Sequence, residues 1–168
     1  AGVHSAWAIA APAWLFMLAH GVHQPCGQSG SVGPFPHGLR ISPDGKHVAY
    51  IRGSALFVCD MHGNERCLTP ETASDVTWGV AEFVAAEEMN RQRGYWWSPN
   101  SDALVVERVD NSPIKLITIA DPSQPTVEPQ TRRYPFAGTT NARTSLHVID
   151  LDARSTDIVW DTETFEYL

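Results

Sequence analysis

The sequence predicts a mainly β protein: a partial β-propeller of about two to three blades of antiparallel strands, with one short inserted helix near 80–93. Short alternating strands separated by polar turns run from residue 39 onward. A Ser-Pro start, a turn residue and an alternating strand occur together twice, beginning at Ser42 and at Ser98. Repeated strand–turn–strand units are typical of propeller blades, and a period longer than the usual ~40–50 residues indicates insertions.

The first predicted unit consists of two hairpins. LRISPDGKHVAYIR (39–52) places a Pro-Asp-Gly turn at 43–45 between two β-rich segments. ALFVCDMHGNERCLT (55–69) then predicts a second hairpin around residues 62–64.

The second predicted unit begins at WWSPNSDALVVERV (96–109), and we expect IKLITI (114–119) to be its next strand. The Pro-rich piece at 121–138 is too long for a hairpin turn, so we expect it to leave the blade as an excursion. SLHVIDL (145–151) and TDIVW (156–160) are two further predicted strands, joined by the turn DARS.

One stretch has the composition of a helix, GVAEFVAAEEMNRQR (79–93), because Ala, Glu, Met, Gln and Arg favour helix formation. Glu87 and Arg91 are spaced for a favourable i, i+4 pair, and Gly94 is a natural end for the helix. The adjacent carboxylates of Glu87 and Glu88 are either both solvated or bind a cation between them, since neighbouring like charges stabilise nothing by themselves.

Composition limits the class of protein. A chain of 168 residues is long enough for one domain with a core, and 43% hydrophobic against 18% charged residues exclude a disordered tail. Twelve Lys and Arg against nineteen Asp and Glu give a net charge of −7 without a basic cluster, which excludes a nucleic-acid-binding surface. An acidic pocket on such a chain favours a cationic ligand.

The cysteines and histidines predict neither a disulfide scaffold nor a metal site. Cys26, Cys59 and Cys67 are odd in number and form no C-x-x-C pair. Cys59 and Cys67 flank one hairpin turn, where a disulfide is the lesser alternative to two small apolar residues in strands. His20 and His23 lack a carboxylate or cysteine to complete a metal site, so we expect no metal and no cofactor.

Residues 1–38 are assigned to no element, and we interpret them as the remnant of an earlier blade or as a loop. Within them, residues 5–22 are a candidate membrane or signal segment, apolar for about the length of a membrane span. Pro12 lies inside this segment and no Lys or Arg precedes it, so a buried strand pair is favoured. A cytoplasmic location is favoured with it, and a membrane association is not expected.

The ordered motifs of residues 39–168 resemble the N-terminal propeller of the dipeptidyl peptidase IV family. They are the run EFVAAEEM with YWWSPNSDALVVERVDNSPI, the segment RRYPFAGTTNARTSLHVIDLD and the terminal EYL. The glutamate pair, the WWSP start, the YP-x-AG-x-x-N segment and EYL occur in the order of that family. The resemblance defines the second predicted region, a partial propeller over 39–168, and the chain ends where the family begins a new blade.

The resemblance implies a role for the glutamate pair. In the family, the propeller sits over an α/β-hydrolase domain with a Ser–Asp–His triad, and two adjacent glutamates on a short helix hold the free amino terminus of the peptide. Glu87 and Glu88 would be those residues, since an ammonium group has three donors and carboxylates are charge-assisted acceptors. Because the terminus is held at a fixed distance from the nucleophile, the enzyme cleaves after the second residue of the peptide.

The resemblance thus implies the non-catalytic, substrate-gating and anchoring propeller of a serine exopeptidase that releases N-terminal Xaa-Pro or Xaa-Ala dipeptides. Its partners would be a peptide with a free amino terminus and the α/β-hydrolase domain of the same parent chain. Two or three blades cannot close into a ring, so we also expect oligomers through exposed strand edges.

Two positions depart from the family pattern around the pair. Glu82 matches an acidic position of the motif, but Phe83 follows it where many members have Trp, and Ala86 stands where some members have a third glutamate. A family arginine near the substrate has no match, because Arg52 and Arg108 lie in predicted strands. Trp96 and Trp97 are interpreted as blade core and not as a substrate platform.

Catalysis is not expected from this sequence alone. It contains no G-x-S-x-G nucleophile elbow, and GQSGS (27–31) has Ser31 where the final glycine is needed. The alternative function is a stand-alone propeller-type module that binds peptides or proteins without peptidase activity.

Overall fold

The computed structural model describes residues 36–70, 72, 74–123 and 126–167, which form two antiparallel sheets, a two-stranded ribbon and one short helix. The elements in chain order are β1 (His37–Ile41), β2 (His47–Arg52), β3 (Ala55–Asp60), β4 (Glu65–Cys67), β5 (Val76–Trp78), α1 (Phe83–Glu88), β6 (Tyr95–Trp97), β7 (Ala103–Asp110), β8 (Leu116–Ile119), β9 (Gln130–Arg133), β10 (Arg143–Asp150) and β11 (Ser155–Ile158).

The first sheet has the strand order β1-β2-β3-β4, and every neighbouring pair is antiparallel. Its turns are those expected from the sequence, with Gly45 at φ 75° between β1 and β2 and Gly63 at φ 87° between β3 and β4. Glycine is suited to both positions because it has no Cβ to clash in the left-handed region. The two predicted hairpins of this unit are confirmed.

The second sheet has the order β11-β10-β7, and two short strands share the remaining edge of β7. β5 pairs with the end of β7 and β6 pairs with its middle, both antiparallel. β5 and β6 therefore form a single edge strand that is interrupted by residues 79–94. The fold is a partial β-propeller of two four-stranded blades, as predicted, with an insertion in the second blade.

The assignment of IKLITI as the strand next to β7 is wrong. Its residues 116–119 form β8, which pairs with β9 in a separate ribbon, while the neighbour of β7 is β10 in register from Arg143 opposite Asp110 onward. The ribbon buries little apolar surface, since the apolar residues Leu116 and Ile119 are 57% and 49% exposed. The Pro-rich segment at 121–138 leaves the blade, as predicted, and contributes β9 to this ribbon.

The core lies between the two sheets. Each sheet presents one apolar face to the other, and the alternating pattern of the strands places these side chains on that face. The buried cluster contains Ala49, Ile51, Leu56, Val58 and Leu68 from the first sheet and its following turn, and Trp78, Tyr95, Leu104, Val106 and Ile149 from the second. The two blades are thus packed as one unit through a shared core.

The two Ser-Pro turns have equivalent hydrogen bonds, which confirms the internal repeat. The Ser42 amide donates to the carbonyl of His47 at 2.9 Å, and the Ser98 amide donates to the carbonyl of Ala103 at 2.8 Å. The hydroxyl of each serine also donates to an aspartate of its own turn. The turns contact each other directly, since the Asp44 amide donates to Ser101 Oγ at 3.0 Å.

The helix is shorter than the predicted 79–93. It begins at Phe83 and ends at Glu88, and Asn90 then takes a φ of 52° that an α-helix does not allow. Val80 and Arg93 form an antiparallel bridge, so the residues flanking the helix are extended and pair with each other. The pairing of Val80 with Arg93 therefore prevails over the helix propensity of residues 79–93.

The strand register separates the two cysteines of the hairpin. Cys59 is opposite Glu65 and Cys67 is opposite Phe57, so the disulfide alternative between them is wrong. Cys59 is a free, buried thiol, and burial raises its pKa to about 11. A thiol held neutral in this way behaves as a small apolar residue.

Several predictions fall on residues that the structure does not describe. The segment 5–22, Cys26, the histidine pair His20 and His23, and the loop 27–31 lie outside the described ranges. The division at residue 38 therefore stays a prediction. Within the part of the chain that is described, no helix has the length and apolar character needed to cross a membrane.

Candidate functional site

The insertion leaves and rejoins the edge strand at a single point opposite Glu107. The Gly79 amide donates to the Glu107 carbonyl at 2.8 Å, and the Glu107 amide donates to the Gly94 carbonyl at 2.7 Å. The Gly94 amide also donates to the Gly79 carbonyl at 3.1 Å. Gly79 and Gly94 thus each form one backbone hydrogen bond with the same residue, Glu107. Residues 80–93, between the two glycines, project from the sheet at that point.

Both positions require glycine. At Gly94 an added Cβ would lie 2.5 Å from the Val80 nitrogen, and the next two nearest atoms are also backbone. At Gly79 the φ is 76°, and an added Cβ would lie 2.5 Å from Ile51 Cδ1. The crossing backbone leaves no space for a side chain at Gly94, whereas the positive φ and the Ile51 side chain disfavour one at Gly79.

A buried ion pair fixes the returning half of the insertion. Arg91 Nη1 donates to Glu107 Oε2 at 2.6 Å, and the Glu107 side chain is fully buried while that of Arg91 is 19% exposed. Burial raises the pKa of the Glu107 carboxyl, and the Arg91 guanidinium opposes this shift. The same guanidinium donates to the Arg93 carbonyl at 2.8 Å. The expected pair of Arg91 with Glu87 is wrong, because Arg91 points to the sheet.

Glu82 fixes the start of α1. Its carboxylate accepts hydrogen bonds from the amides of Val84 and Ala85, which is the standard arrangement of an N-cap, and its side chain is buried. Ala85 is the buried residue of the helix. This short helix is therefore oriented by its cap and its one buried position.

Glu87 and Glu88 are the last two residues of α1, and both are exposed. Neither forms an ion pair with a described residue. The C-terminal end of a helix carries partial negative charge, and the last turn of α1 has no basic residue to balance it. Two adjacent carboxylates at this end are unfavourable for the helix itself.

Aromatic side chains support the helix from the side. Phe83 contacts Tyr134 edge-on with ring centroids 5.4 Å apart, and Tyr134 contacts Phe136 in the same manner at 5.0 Å. Such contacts between rings are favourable beyond the area that they bury. The Tyr-Pro segment thus packs against the acidic helix, although Phe83 stands where many members of the resembled family have Trp.

Two other motif segments contact each other. Asn141 Nδ2 donates to the Tyr167 hydroxyl at 2.7 Å and to Glu166 Oε1 at 2.8 Å. Burial, and next the charge of Glu166, raise the pKa of Tyr167, and the hydrogen bond from Asn141 opposes this shift. The segment around Asn141 and the EYL segment, about 25 residues apart in the sequence, therefore contact each other directly.

The other residues singled out in the sequence have structural contacts. Arg52 donates two hydrogen bonds to Glu65 in the first sheet, and Arg108 lies over the Trp78 ring at 6.0 Å. Trp97 packs against the shared core, as predicted. Trp96 is half-buried, with the Arg93 guanidinium 5.3 Å above its ring.

Neither the role of Glu107 nor the pairing of Asn141 with Tyr167 is predicted from the sequence. A signal for Glu107 was present, since a charged residue within the apolar run VVERV is unusual in a buried strand. The alternation of that strand placed Glu107 on a face without naming its partner, which is 16 residues away. Within the described residues, no group of three or more His, Cys, Asp or Glu side chains could hold a metal ion.

Comparison with known proteins agrees with this architecture. The family model described as the dipeptidyl peptidase IV (DPP IV) N-terminal region matches residues 29–167 of this chain. Human dipeptidyl peptidase 8 is 31% identical over 94 residues, which are 48% of this chain and 10% of that protein. A Schizosaccharomyces pombe protein named as a dipeptidyl aminopeptidase is 31% identical over 134 residues, covering 73% of this chain and 17% of its own length.

A solved structure shows the same fold. The crystal structure of Porphyromonas gingivalis dipeptidyl peptidase 4 matches with a TM-score of 0.69 and 24% identity, over 80% of this chain and 19% of that one. The chain thus spans less than a fifth of each of these relatives. Because the family model covers most of its length, the chain belongs to the dipeptidyl peptidase IV N-terminal region family.

Proposed function

We propose that this chain is the substrate-anchoring part of the propeller of a serine-type dipeptidyl peptidase, and that Glu87 and Glu88 bind the free amino terminus of the peptide. The observation that carries this proposal is the exposed carboxylate pair at the C-terminal end of α1, without a basic residue in the last turn. The membership of the family gives the pair its expected ligand.

The chemistry of the pair suits a primary ammonium group. Such a group has three N–H donors and a positive charge, and two neighbouring carboxylates can accept from it while balancing that charge. The negative end of the helix adds to the attraction. A peptide whose amino terminus is acetylated has neither the charge nor the donors, so it should be rejected.

The contacts that hold α1 in place also support a role in anchoring the peptide. The Arg91–Glu107 ion pair, the Glu82 cap and the glycine crossing hold α1 in one position on the second blade. An anchor positions a peptide only when it is itself rigidly held. We infer that a catalytic domain elsewhere in the parent chain would act on the peptide bond at a fixed distance from this anchor.

The test is peptide binding by the chain, measured by calorimetry with a short peptide that has a free amino terminus and Pro in second position. Glu87→Gln and Glu88→Gln should each weaken binding about tenfold or more, because each removes a charge-assisted acceptor. Glu128→Gln, at an exposed glutamate far from α1 in the sequence, is the matched control and should bind as the parent does. Equal affinity for the acetylated peptide would contradict the proposal.

Hydrolysis separates a purely anchoring role from catalysis by the chain itself. Because the sequence has no G-x-S-x-G elbow, the chain should bind a Gly-Pro p-nitroanilide without releasing p-nitroaniline. Sustained release by the pure chain would mean that it has a nucleophile of its own, and would contradict a purely anchoring role.

A further inference from the structure

A small cavity lies at the base of the insertion, on the side of β1. Its volume is about 280 Å³, close to the lower end of the ~300–1,000 Å³ typical of small-molecule sites. The polar and charged side chains that line it are His37, Arg40, Gln92, Arg93 and Tyr95. None of these residues is acidic, although the chain as a whole carries a net charge of −7.

A β-bulge in β1 brings two of the basic side chains to the same face. His37 is opposite Ile51 and Arg40 is opposite Ala49, so β1 has one more residue than β2 across this interval. Residues three apart in a regular strand point to opposite faces, and one extra residue cancels that alternation. The bulge is what allows both His37 and Arg40 to line the cavity.

The bulge is fixed by side chains from the second blade. The Tyr95 hydroxyl lies within hydrogen-bond reach of the Gly38 and Ala49 carbonyls, at 2.9 Å from that of Ala49. Trp97 Nε1 donates to the Arg40 carbonyl at 3.1 Å. The cavity wall is therefore preorganised by contacts between the two sheets and does not depend on a ligand for its shape.

Arg93 enters the cavity from the insertion in a defined orientation. Its Nε donates to the Tyr95 carbonyl at 2.7 Å, and its guanidinium lies 5.3 Å from the centre of the Trp96 ring. The two terminal nitrogens of this guanidinium donate to no described residue. Burial, and next the charge of Arg40, lower the pKa of Arg93, as expected for two cations that share one space.

No carboxylate balances these charges among the described residues. The ion pairs of the described chain engage other basic residues, and neither Arg40 nor Arg93 takes part in any of them. Two guanidinium groups that approach each other without a counter-charge repel, and an anion placed between them relieves that repulsion. Guanidinium groups match the geometry of carboxylate and phosphate oxygens.

We propose that this cavity binds a small oxyanion, a carboxylate or phosphate group, between Arg40 and Arg93. The site is separate from the glutamate pair and has the opposite charge preference, so it does not depend on the proposed anchoring function. It is connected to α1 through Gln92, which lines the cavity and donates to the Ala86 carbonyl at 3.1 Å.

The test is a titration of the full chain with inorganic phosphate and, separately, with acetate at low ionic strength, followed by the NMR shifts of the Gly38 and Gln92 amides. We expect saturable shifts with at least one anion, and the anion that binds more tightly identifies a phosphate or a carboxylate ligand. Arg40→Gln and Arg93→Gln should each weaken this binding about tenfold, since each removes a charged donor.

Arg132→Gln is the matched control, because Arg132 is exposed and its side chain donates to Gln130 in the ribbon. Binding that survives in Arg132→Gln and is lost in the two cavity variants supports the site. Equal binding by all four proteins, or no saturable shift with either anion, overturns it. If Arg93→Gln loses its native circular dichroism, Arg40→Gln decides alone, since the Arg40 side chain has no described hydrogen-bond partner.

Discussion

The edge strands of the two blades are interrupted at nearly the same place, with very different results. Counting from the equivalent residues His47 and Ala103, the bulge of β1 lies opposite Tyr50 and the insertion lies opposite Glu107, one position further along. One blade takes up a single extra residue there, whereas the other takes up residues 80–93. A blade edge at this position thus accepts extra chain without losing its register on either side.

The two interruptions also differ in what holds them. The bulge of β1 is fixed by Tyr95 and Trp97, which reach across from the other sheet to backbone carbonyls. The insertion is fixed from within its own blade by a buried ion pair and a glycine crossing. A bulge of one residue can depend on its neighbours, whereas a long insertion that carries a helix needs an attachment of its own.

The largest predicted effect is at that attachment. Arg91→Met should lower the free energy of unfolding by about 3–5 kcal/mol, because it leaves the buried carboxylate of Glu107 without its cation. Urea denaturation followed by tryptophan fluorescence measures this loss. The double variant Arg91→Met with Glu107→Leu should recover most of it, and a double variant as unstable as the single one would contradict the explanation.

The corresponding change in the first blade should cost less. Arg52→Met removes two hydrogen bonds to Glu65, but the Tyr50 hydroxyl still donates to that carboxylate, which is also 10% exposed. We expect a loss of about 1.5–3 kcal/mol by the same denaturation measurement. A loss equal to that of Arg91→Met would show that burial of the carboxylate is not what separates the two ion pairs.

Gly94→Ala tests the crossing of the insertion. Since the atoms that its Cβ would meet are backbone, they cannot move aside easily, and we expect a loss of about 1–3 kcal/mol in the free energy of unfolding. Gly138→Ala is the comparison, because Gly138 has φ 78° but open space around it, so its cost is conformational alone. Gly94→Ala should also lower the affinity for the peptide, which Gly138→Ala should leave unchanged.

The smallest predicted effect concerns the ribbon and depends on pH. Arg133 donates to both carboxylate oxygens of Asp75 at 2.7 Å, and these bonds lower the pKa of that carboxyl below its usual value. Because the folded pKa lies below the unfolded value of about 3.9, the stabilisation is present above that value and is lost as the pH falls through the folded pKa. Arg133→Gln should therefore reduce the urea midpoint at pH 6.

The pH dependence is the control for this prediction. The difference in midpoint between Arg133→Gln and the parent chain should shrink as the pH is lowered below about 4, because Asp75 is then protonated first in the unfolded state and, below its lowered folded pKa, in the folded state as well. The hydrogen bonds of Arg133 to the Ser112 and Ile114 carbonyls do not titrate, so a part of the difference should remain. A difference that is constant from pH 6 to pH 3 would assign the whole effect to those carbonyls.

The local turns were predictable because their residues act locally. Pro-Asp-Gly before β2 and Met-His-Gly-Asn before β4 determine tight turns within a few residues, and the strands on either side follow from alternation. IKLITI was misassigned because a strand in a ribbon and a strand in a blade have the same alternating pattern. The true partner of β7 starts at Arg143, and sequence separation of that size carries no local signal.

The residues of the candidate site could be predicted from the sequence, but the tertiary contacts that hold them in place could not. The adjacent pair Glu87 and Glu88 and the helix formers around it are visible in the sequence. The length of the helix was not, since it is set by the bridge of Val80 with Arg93 and by the choice of Glu107 as the partner of Arg91. Both are tertiary contacts that compete with helix propensity and prevail.

The glycine crossing has a consequence for how such a blade can change over evolution. Because the Gly79 carbonyl and the Gly94 amide are 3.1 Å apart, the two ends of the intervening chain coincide in space. A segment of another length or composition could be exchanged between them while the strand pairing on both sides keeps its register. The segment that the blade presents to a ligand can therefore be replaced during evolution, while the sheet that supports it stays the same.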